Sequence, residues 1–217
     1  MGQRAIALFF CGLLLLLSGC SAAVAETAPV PGAKTVLPLF QPFIQPLQLQ
    51  TQVPLVLPTV IPTDAVVPAP HGERPYIDVP IAANGHFQTS YASILAASSD
   101  RYEISLDAVS GCRGADRCSF GVLSGEVVYQ NTPSILSRYA FEHAPDFQPK
   151  GRSPESMEAV LLTRGLSGYF IPFVCGANCD SSKVIWEQNG YRYSVGICYG
   201  AEATVVEMAN SAIANEN

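Results

Sequence analysis

Charge is scarce in this sequence. Lys, Arg, Asp and Glu make up 14% of the 217 residues, histidine occurs three times, tryptophan once, and the basic residues form no cluster. A net charge of −6 without a basic patch offers no electrostatic footprint for nucleic acid, which excludes that partner. The local signatures of common enzyme classes are missing too. There is no Gly-x-Ser-x-Gly elbow, no phosphate loop and no His-Glu-x-x-His. His71, His86 and His143 are scattered, and none stands beside a cysteine pair to complete a metal set. Glu142-His143 is a lone acid–imidazole pair in a loop bounded by Pro145, which reads as a solvated turn. These absences together point away from catalysis. They assign no catalytic, cofactor-binding or metal-ligating residue and no small-molecule substrate.

No apolar run is long enough to remain in a bilayer as a permanent helix, which needs about 20 residues. The longest, Ala5 to Leu17, follows Arg4, the only charged side chain before Glu26, and is followed by small residues. That is the plan of a secretory signal. Leu17-Ser18-Gly19-Cys20 matches the bacterial lipobox, whose cysteine accepts diacylglycerol, so residues 1–19 are expected to be removed and Cys20 lipidated. Cleavage after Ala23-Val24-Ala25 is the competing reading and would discard Cys20, leaving a soluble periplasmic or secreted protein. Lipid chains on Cys20 would make the membrane a stable partner, because each buried CH₂ adds about 0.8 kcal/mol. Ser21 after the cysteine, rather than Asp, favours the outer membrane, with the protein facing the periplasm.

Proline, by contrast, is abundant. Ten of 17 prolines lie between Pro29 and Pro70, and Pro38, Pro42, Pro46, Pro54, Pro58 and Pro62 fall on a four-residue beat. Thr35 to Thr63 carries no charge. Interior prolines remove helix hydrogen bonds, so residues 20–52 are expected to form an extended, polyproline-like spacer, with Val53 to Val60 as an edge strand. The spacer is apolar for a solvated tether. Leu37, Leu39, Phe40, Phe43, Ile44, Leu47 and Leu49 are expected to lie loosely on the domain, or to serve as a docking strap.

Residues 53–217 read as a single α+β domain, an antiparallel sheet with about two packed helices, stabilised by disulfides and preceded by the Pro-rich extended segment. Tyr76 to Ile81 is a candidate strand and Asn84-Gly85 a turn. Tyr102-Glu-Ile-Ser-Leu-Asp107 alternates strictly, as a half-buried strand does, and Ser119 to Tyr129 is another strand. Ser90 to Ala97 is ambiguous between strand and helix. Ser153-Pro154-Glu155 has the composition of a helix start and predicts a helix through Met157, Val160 and Leu161 to Gly165. Asn189-Gly190 suits a type I′ turn. Counting outward pairs Gln188 with Tyr191, Glu187 with Arg192, Trp186 with Tyr193 and Val184 with Val195. Val184, Trp186, Tyr191, Tyr193, Val195 and Ile197 then share an apolar face. Ala201 to Ala214 places Val205, Met208, Ala209, Ala212 and Ile213 on one stripe, predicting a helix across that face. Trp186, Tyr191 and Tyr193 could stack on a sugar, but their parity puts them under this helix, as core.

Several short stretches resemble an uncharacterised family of exported cyanobacterial proteins. They are Leu57-Pro-Thr-Val-Ile-Pro62, Cys112-Arg-Gly-Ala-Asp-Arg-Cys118, Gly168-Tyr-Phe, Cys175-Gly-Ala-Asn-Cys179, the Trp186…Asn189-Gly190…Tyr193 hairpin and Ala209-Asn-Ser-Ala-Ile213. The likeness spans roughly Val53 to Ile213 and does not account for Cys198. It implies an extracytoplasmic setting and carries no activity.

With Cys11 lost and Cys20 lipidated, five cysteines remain. In an oxidising envelope Cys112–Cys118 and Cys175–Cys179 read as bridges closing short loops, with Cys198 left over. A bridge from Cys175 or Cys179 to Cys198 is the other arrangement. Read as chemistry, Cys175-Gly-Ala-Asn-Cys179 would be a redox or metal motif. Its spacer is one residue too long for the thioredoxin type, and a strand is expected to follow it rather than a helix. Three functions stay open, in this order. The first is a non-catalytic envelope lipoprotein that binds or positions an envelope partner. The second is a carrier of an apolar ligand between sheet and helix, and the third a thiol or metal protein.

Overall fold

The computed structural model describes residues 36–61, 91–115, 118–140, 151–175 and 180–216. The expected strand at Tyr76–Ile81 and the turn at Asn84-Gly85 lie outside these residues, as do Cys20, Glu142 and the three histidines. The described residues form an α+β fold. Its seven-stranded antiparallel sheet comprises β1 (Tyr91–Ser98), β2 (Arg101–Asp107), β3 (Ser119–Val127), β5 (Glu158–Leu161), β6 (Ser167–Ile171), β8 (Ser182–Gln188) and β9 (Tyr191–Ile197). The spatial order is β1-β2-β3-β9-β8-β6-β5, and the short strands β4 (Gly151–Arg152) and β7 (Val174–Cys175) pair separately. Three helices accompany them: α1 (Gln41–Gln50), α2 (Ile135–Tyr139) and α3 (Glu202–Ala214).

The β8–β9 hairpin has the register that its turn dictates. Gln188 faces Tyr191, Glu187 faces Arg192, Trp186 faces Tyr193 and Val184 faces Val195. Asn189 and Gly190 both take positive φ, at 53° and 81°, as a type I′ turn requires. Trp186, Tyr193, Val195 and Ile197 are buried beneath α3, which inserts Val205, Met208, Ala209, Ala212 and Ile213, the stripe read from sequence. Residues 101–107 form the expected strand β2, but its polar side is not exposed throughout, since Ser105 and Asp107 are buried as well as Ile104 and Leu106. The ambiguous stretch before it is a strand, β1. Tyr102 on β2 opposes Gly125 on β3, where a Cβ would come within 2.5 Å of its ring. The missing side chain makes room for the buried phenol. Tyr102 Oη in turn accepts a hydrogen bond from Val56 N–H at 3.2 Å.

The proline-paced stretch departs from expectation. Residues 41–50 form a helix instead of an extended spacer, and 51–61 cross the sheet as a strap with no strand of their own. Pro42 sits in the first helical turn, where an amide has no acceptor to lose. Pro46 does cost an interior bond, but the four-residue beat puts both prolines on the exposed outer face, where a freed carbonyl meets water. The same beat leaves Phe40, Phe43, Ile44 and Leu47 at i, i+3, i+4 and i+7, and all four join the core, Phe40 and Leu47 fully buried. The strap is pinned along its length. Gln52 N–H donates to Ser99 O, Val60 N–H to Ser211 Oγ, and Asn215 Nδ2 to Leu57 O. Residues 36–52, expected as a loose spacer, are thus part of the folded unit that extends to the C-terminus.

The second correction concerns Ser153-Pro154-Glu155. Ser153 Oγ accepts the Glu155 N–H at 3.2 Å, a local turn of the kind that precedes a helix. No helix follows. Glu158–Leu161 pair with β6 instead, as the edge strand β5. Glu155 caps a different helix, since its Oε1 accepts the Glu202 N–H at the start of α3, at 3.0 Å. Glu155, Glu158 and Glu202 therefore gather there. A hydrogen bond with Glu158, which only a protonated pair can make, then burial and the nearby carboxylates hold the Glu202 carboxyl above the usual carboxylate range. The folded chain keeps this proton more readily than the unfolded chain, so this contribution to stability is present in acid. It is lost as pH rises from the ordinary value, 4.5, through the raised one. Glu202→Gln is expected to melt above wild type at pH 7, with the gap closing toward pH 4. A gap that stays constant across this range in differential scanning calorimetry would remove the carboxyl from the account.

A candidate binding cleft on the open face of the sheet

The two faces of the sheet differ in kind. One is closed by α1, the strap and α3. The other carries a cross-strand row of alternating charge, in which Arg101 faces Glu126, Glu126 faces Arg192, and Arg192 faces Glu187. Strict alternation of β3 (Val122, Ser124, Glu126) and β9 (Arg192, Ser194) puts these residues on the face opposite Leu123 and Val195. Cross-strand neighbours of opposite sign then stabilise the pairing.

Arg192 anchors the row and is 4% exposed. Its guanidinium donates to Glu187 Oε1 at 2.7 and 3.0 Å, to Glu126 Oε1 at 3.3 Å and to Pro133 O at 2.6 Å. Arg138 of α2 donates to the same Glu126 oxygen at 2.9 Å. Beside them lie Ser124 and Ser194, whose hydroxyls share a hydrogen bond of 2.7 Å. The Lys183 ammonium pairs with Asp180 and stands 5.2 Å from the centre of the Tyr139 ring. Toward β6 the face becomes apolar, where Ile135 of α2 covers Ile171 and Ile185.

Of these groups, Glu126, Arg138, Lys183, Arg192 and the two serines line a cleft of about 250 Å³, with Arg101 and Glu103 on β2 at its other side. Among the described residues, neither Arg101 nor Glu103 takes part in an ion pair. The cleft therefore offers unpaired charges of both signs above a floor of paired ones, together with two hydroxyls. Such a surface can recognise polar and charged groups by hydrogen bonds and charge complementarity. The hairpin register had already placed Glu187 and Arg192 on this face. The roles of Glu126, Arg138, Asp180 and Lys183 depend on β3 docking beside β9 and on α2 folding over β8, which no local spacing encodes.

The cysteines fall elsewhere. Cys112 and Cys118 are bridged with their Cα atoms 5.8 Å apart, as their spacing implied. Buried Asp107 holds this loop from inside, accepting Ser93 Oγ–H at 2.7 Å and the amides of Arg113 and Gly114 at 3.1 and 3.3 Å. Cys175 is also disulfide-bonded, and Cys179 lies outside the described residues. Cys198, at the end of β9, packs with Phe173, Cys175 and Tyr199, its sulfur 3.5 Å from Ser181 Oγ. After this motif the chain enters β8, a strand. Trp186 and Tyr193 are core residues, their ring centres 5.6 Å apart, and Tyr191 is half-buried beside them. No family model, curated protein or solved structure matches this chain, so its cleft is read from its own residues.

Proposed function

We propose that this protein is a non-catalytic lipoprotein of a bacterial cell envelope, held to the membrane through Cys20, whose domain binds or positions an envelope partner through the polar cleft. One observation carries the reading: a sheet with one face closed by α1, the strap and α3 and the other covered, among the described residues, only in part by α2 and lined by charges of both signs. An open apolar face would call for a greasy occupant, whereas this one suits a polar protein surface. The resemblance to exported proteins and the lipobox supply the setting. The carrier reading needs room between sheet and helices, and there Trp186, Tyr102, Tyr193, Phe40 and Leu47 are each at most 2% exposed.

Two measurements test this reading. Mass spectrometry of the mature protein is expected to find an acylated Cys20, and Cys20→Ala to move the protein into the soluble periplasm. An unmodified N-terminus at Glu26 in the wild type would sink the anchor. For the cleft, Arg101→Gln with Arg138→Gln should leave the melting temperature nearly unchanged, because both side chains are at the exposed rim and the one ion pair lost, Arg138–Glu126, is open to solvent. The same variant should lose the partner that in-cell crosslinking captures with wild type. Capture of the same partner at the same yield would move the binding surface elsewhere.

A further inference from the structure

We propose that the charge-free surface built by α1 is the face that rests on the lipid bilayer, leaving the cleft pointing away from it. This rests on the lipid-anchor reading above and adds an orientation to it. The surface is unusual for this chain. The chain as a whole has a net charge of −6, yet Thr35 to Thr63 contains no ionisable side chain. Outward from α1 stand Gln41, Pro42, Gln45, Pro46, Gln48 and Leu49, and Leu49 is 88% exposed while Leu47, two residues earlier, is 1% exposed. Bacterial bilayers bear anionic headgroups that repel acidic surfaces, so a neutral face approaches at the least electrostatic cost.

Chain length points to the same occupant. Cys20 precedes Val36, the first described residue, by 16 positions. Such a stretch reaches at most about 55 Å and as a flexible coil averages about 22 Å. Among the described residues, the first element after Cys20 is α1. Anchoring at Cys20 would make docking of α1 an intramolecular event, to which burial of Leu49 in the interface adds about 1.5 to 3 kcal/mol. Because α1 packs with the strap and α3 on the closed side of the sheet, its contact with lipid leaves the opposite side open to the periplasm.

The test uses the full mature chain on vesicles of phosphatidylethanolamine and phosphatidylglycerol. Photoreactive benzoylphenylalanine replaces Leu49, or in a second sample Leu161, which is 77% exposed on the edge strand β5. One set carries the native anchor; the other is held by an N-terminal histidine tag on nickel-chelating lipid. Lipid adducts are expected severalfold more often from position 49 than from position 161 in both sets. Adding Gln45→Glu and Gln48→Glu should lower the yield at position 49 by about fivefold for each added charge. Preference for position 49 on the tagged set, with no acylation of the native one, would keep the orientation and overturn the anchor. Equal yields at the two positions, or crosslinks from position 49 to a second copy in place of lipid, would overturn the orientation while leaving the anchor standing.

Discussion

Phe40→Ala is expected to destabilise the domain by about 3 to 5 kcal/mol, and Leu47→Ala by about 2 to 5 kcal/mol, although both lie in a stretch whose prolines suggest a spacer. Both side chains are 1% exposed and belong to the main core, wedged between α1 and the sheet with Val53, Val56 and Tyr102. Truncation removes buried methylene and ring carbons and leaves a cavity that the helix, held at its far end by the pinned strap, cannot collapse to fill. Leu49→Ala is the matched control and should change stability by no more than about 0.5 kcal/mol. Domains of this size have only about 5 to 15 kcal/mol in hand, so the gentler Phe40→Leu guards against simple failure to fold. Urea unfolding measures all four variants. If Phe40→Ala proves no worse than Leu49→Ala, α1 is not part of the cooperative unit. Limited proteolysis gives the same answer independently: residues 36–61 should remain attached to the resistant core.

Asp107→Ala should be the most damaging change to a polar side chain, costing about 3 kcal/mol. The carboxylate is wholly buried and accepts three hydrogen bonds, from the Ser93 hydroxyl and from the amides of Arg113 and Gly114. Hydrogen bonds to a charged acceptor each contribute about 1.5 to 3 kcal/mol, and water reaching the half-buried loop recovers part of that. Arg113 adopts a left-handed backbone, φ 53°, a conformation that costs a non-glycine residue and that the Asp107 bond helps to hold. Removing the Cys112–Cys118 bridge by Cys112→Ser with Cys118→Ser should cost about 2 kcal/mol, since it closes only a short loop. The carboxylate and the bridge fasten the same loop, so the triple variant should depart from additivity. An Asp107→Ala loss below about 1 kcal/mol in urea titration would show that the loop is held by the bridge alone.

Much of the fold could be read locally. Asn189-Gly190 fixes its own turn, and a two-residue turn leaves only one register for β8 and β9. Position 186 must then face 193, and one face becomes apolar. The stripe of α3 and the alternation of β2 are likewise properties of residues a few positions apart. Cys112 and Cys118 are close enough in sequence to be close in space under almost any fold. The cleft was half legible for the same reason. Glu187 and Arg192 fall out of the hairpin register, whereas Glu126, Arg138 and Lys183 meet them only through strand order and the placing of α2.

Tertiary structure decided the rest by overruling local preference. From sequence alone Pro42 and Pro46 argue against a helix, because an isolated one could not afford the lost bond. Burial of Phe40, Phe43, Ile44 and Leu47 against the sheet outweighs that loss. Ser153-Pro154-Glu155 does form the turn that it announces, but Glu158 to Leu161 gain more by pairing with β6, and Glu155 is left to cap α3 across 47 positions of sequence. In both places a local term of about 1 to 3 kcal/mol met a larger one supplied by residues far away in the chain. The sequence by itself therefore determined the elements whose partners are neighbours along the chain. Where the partner is distant, only the packed structure could say which preference would yield.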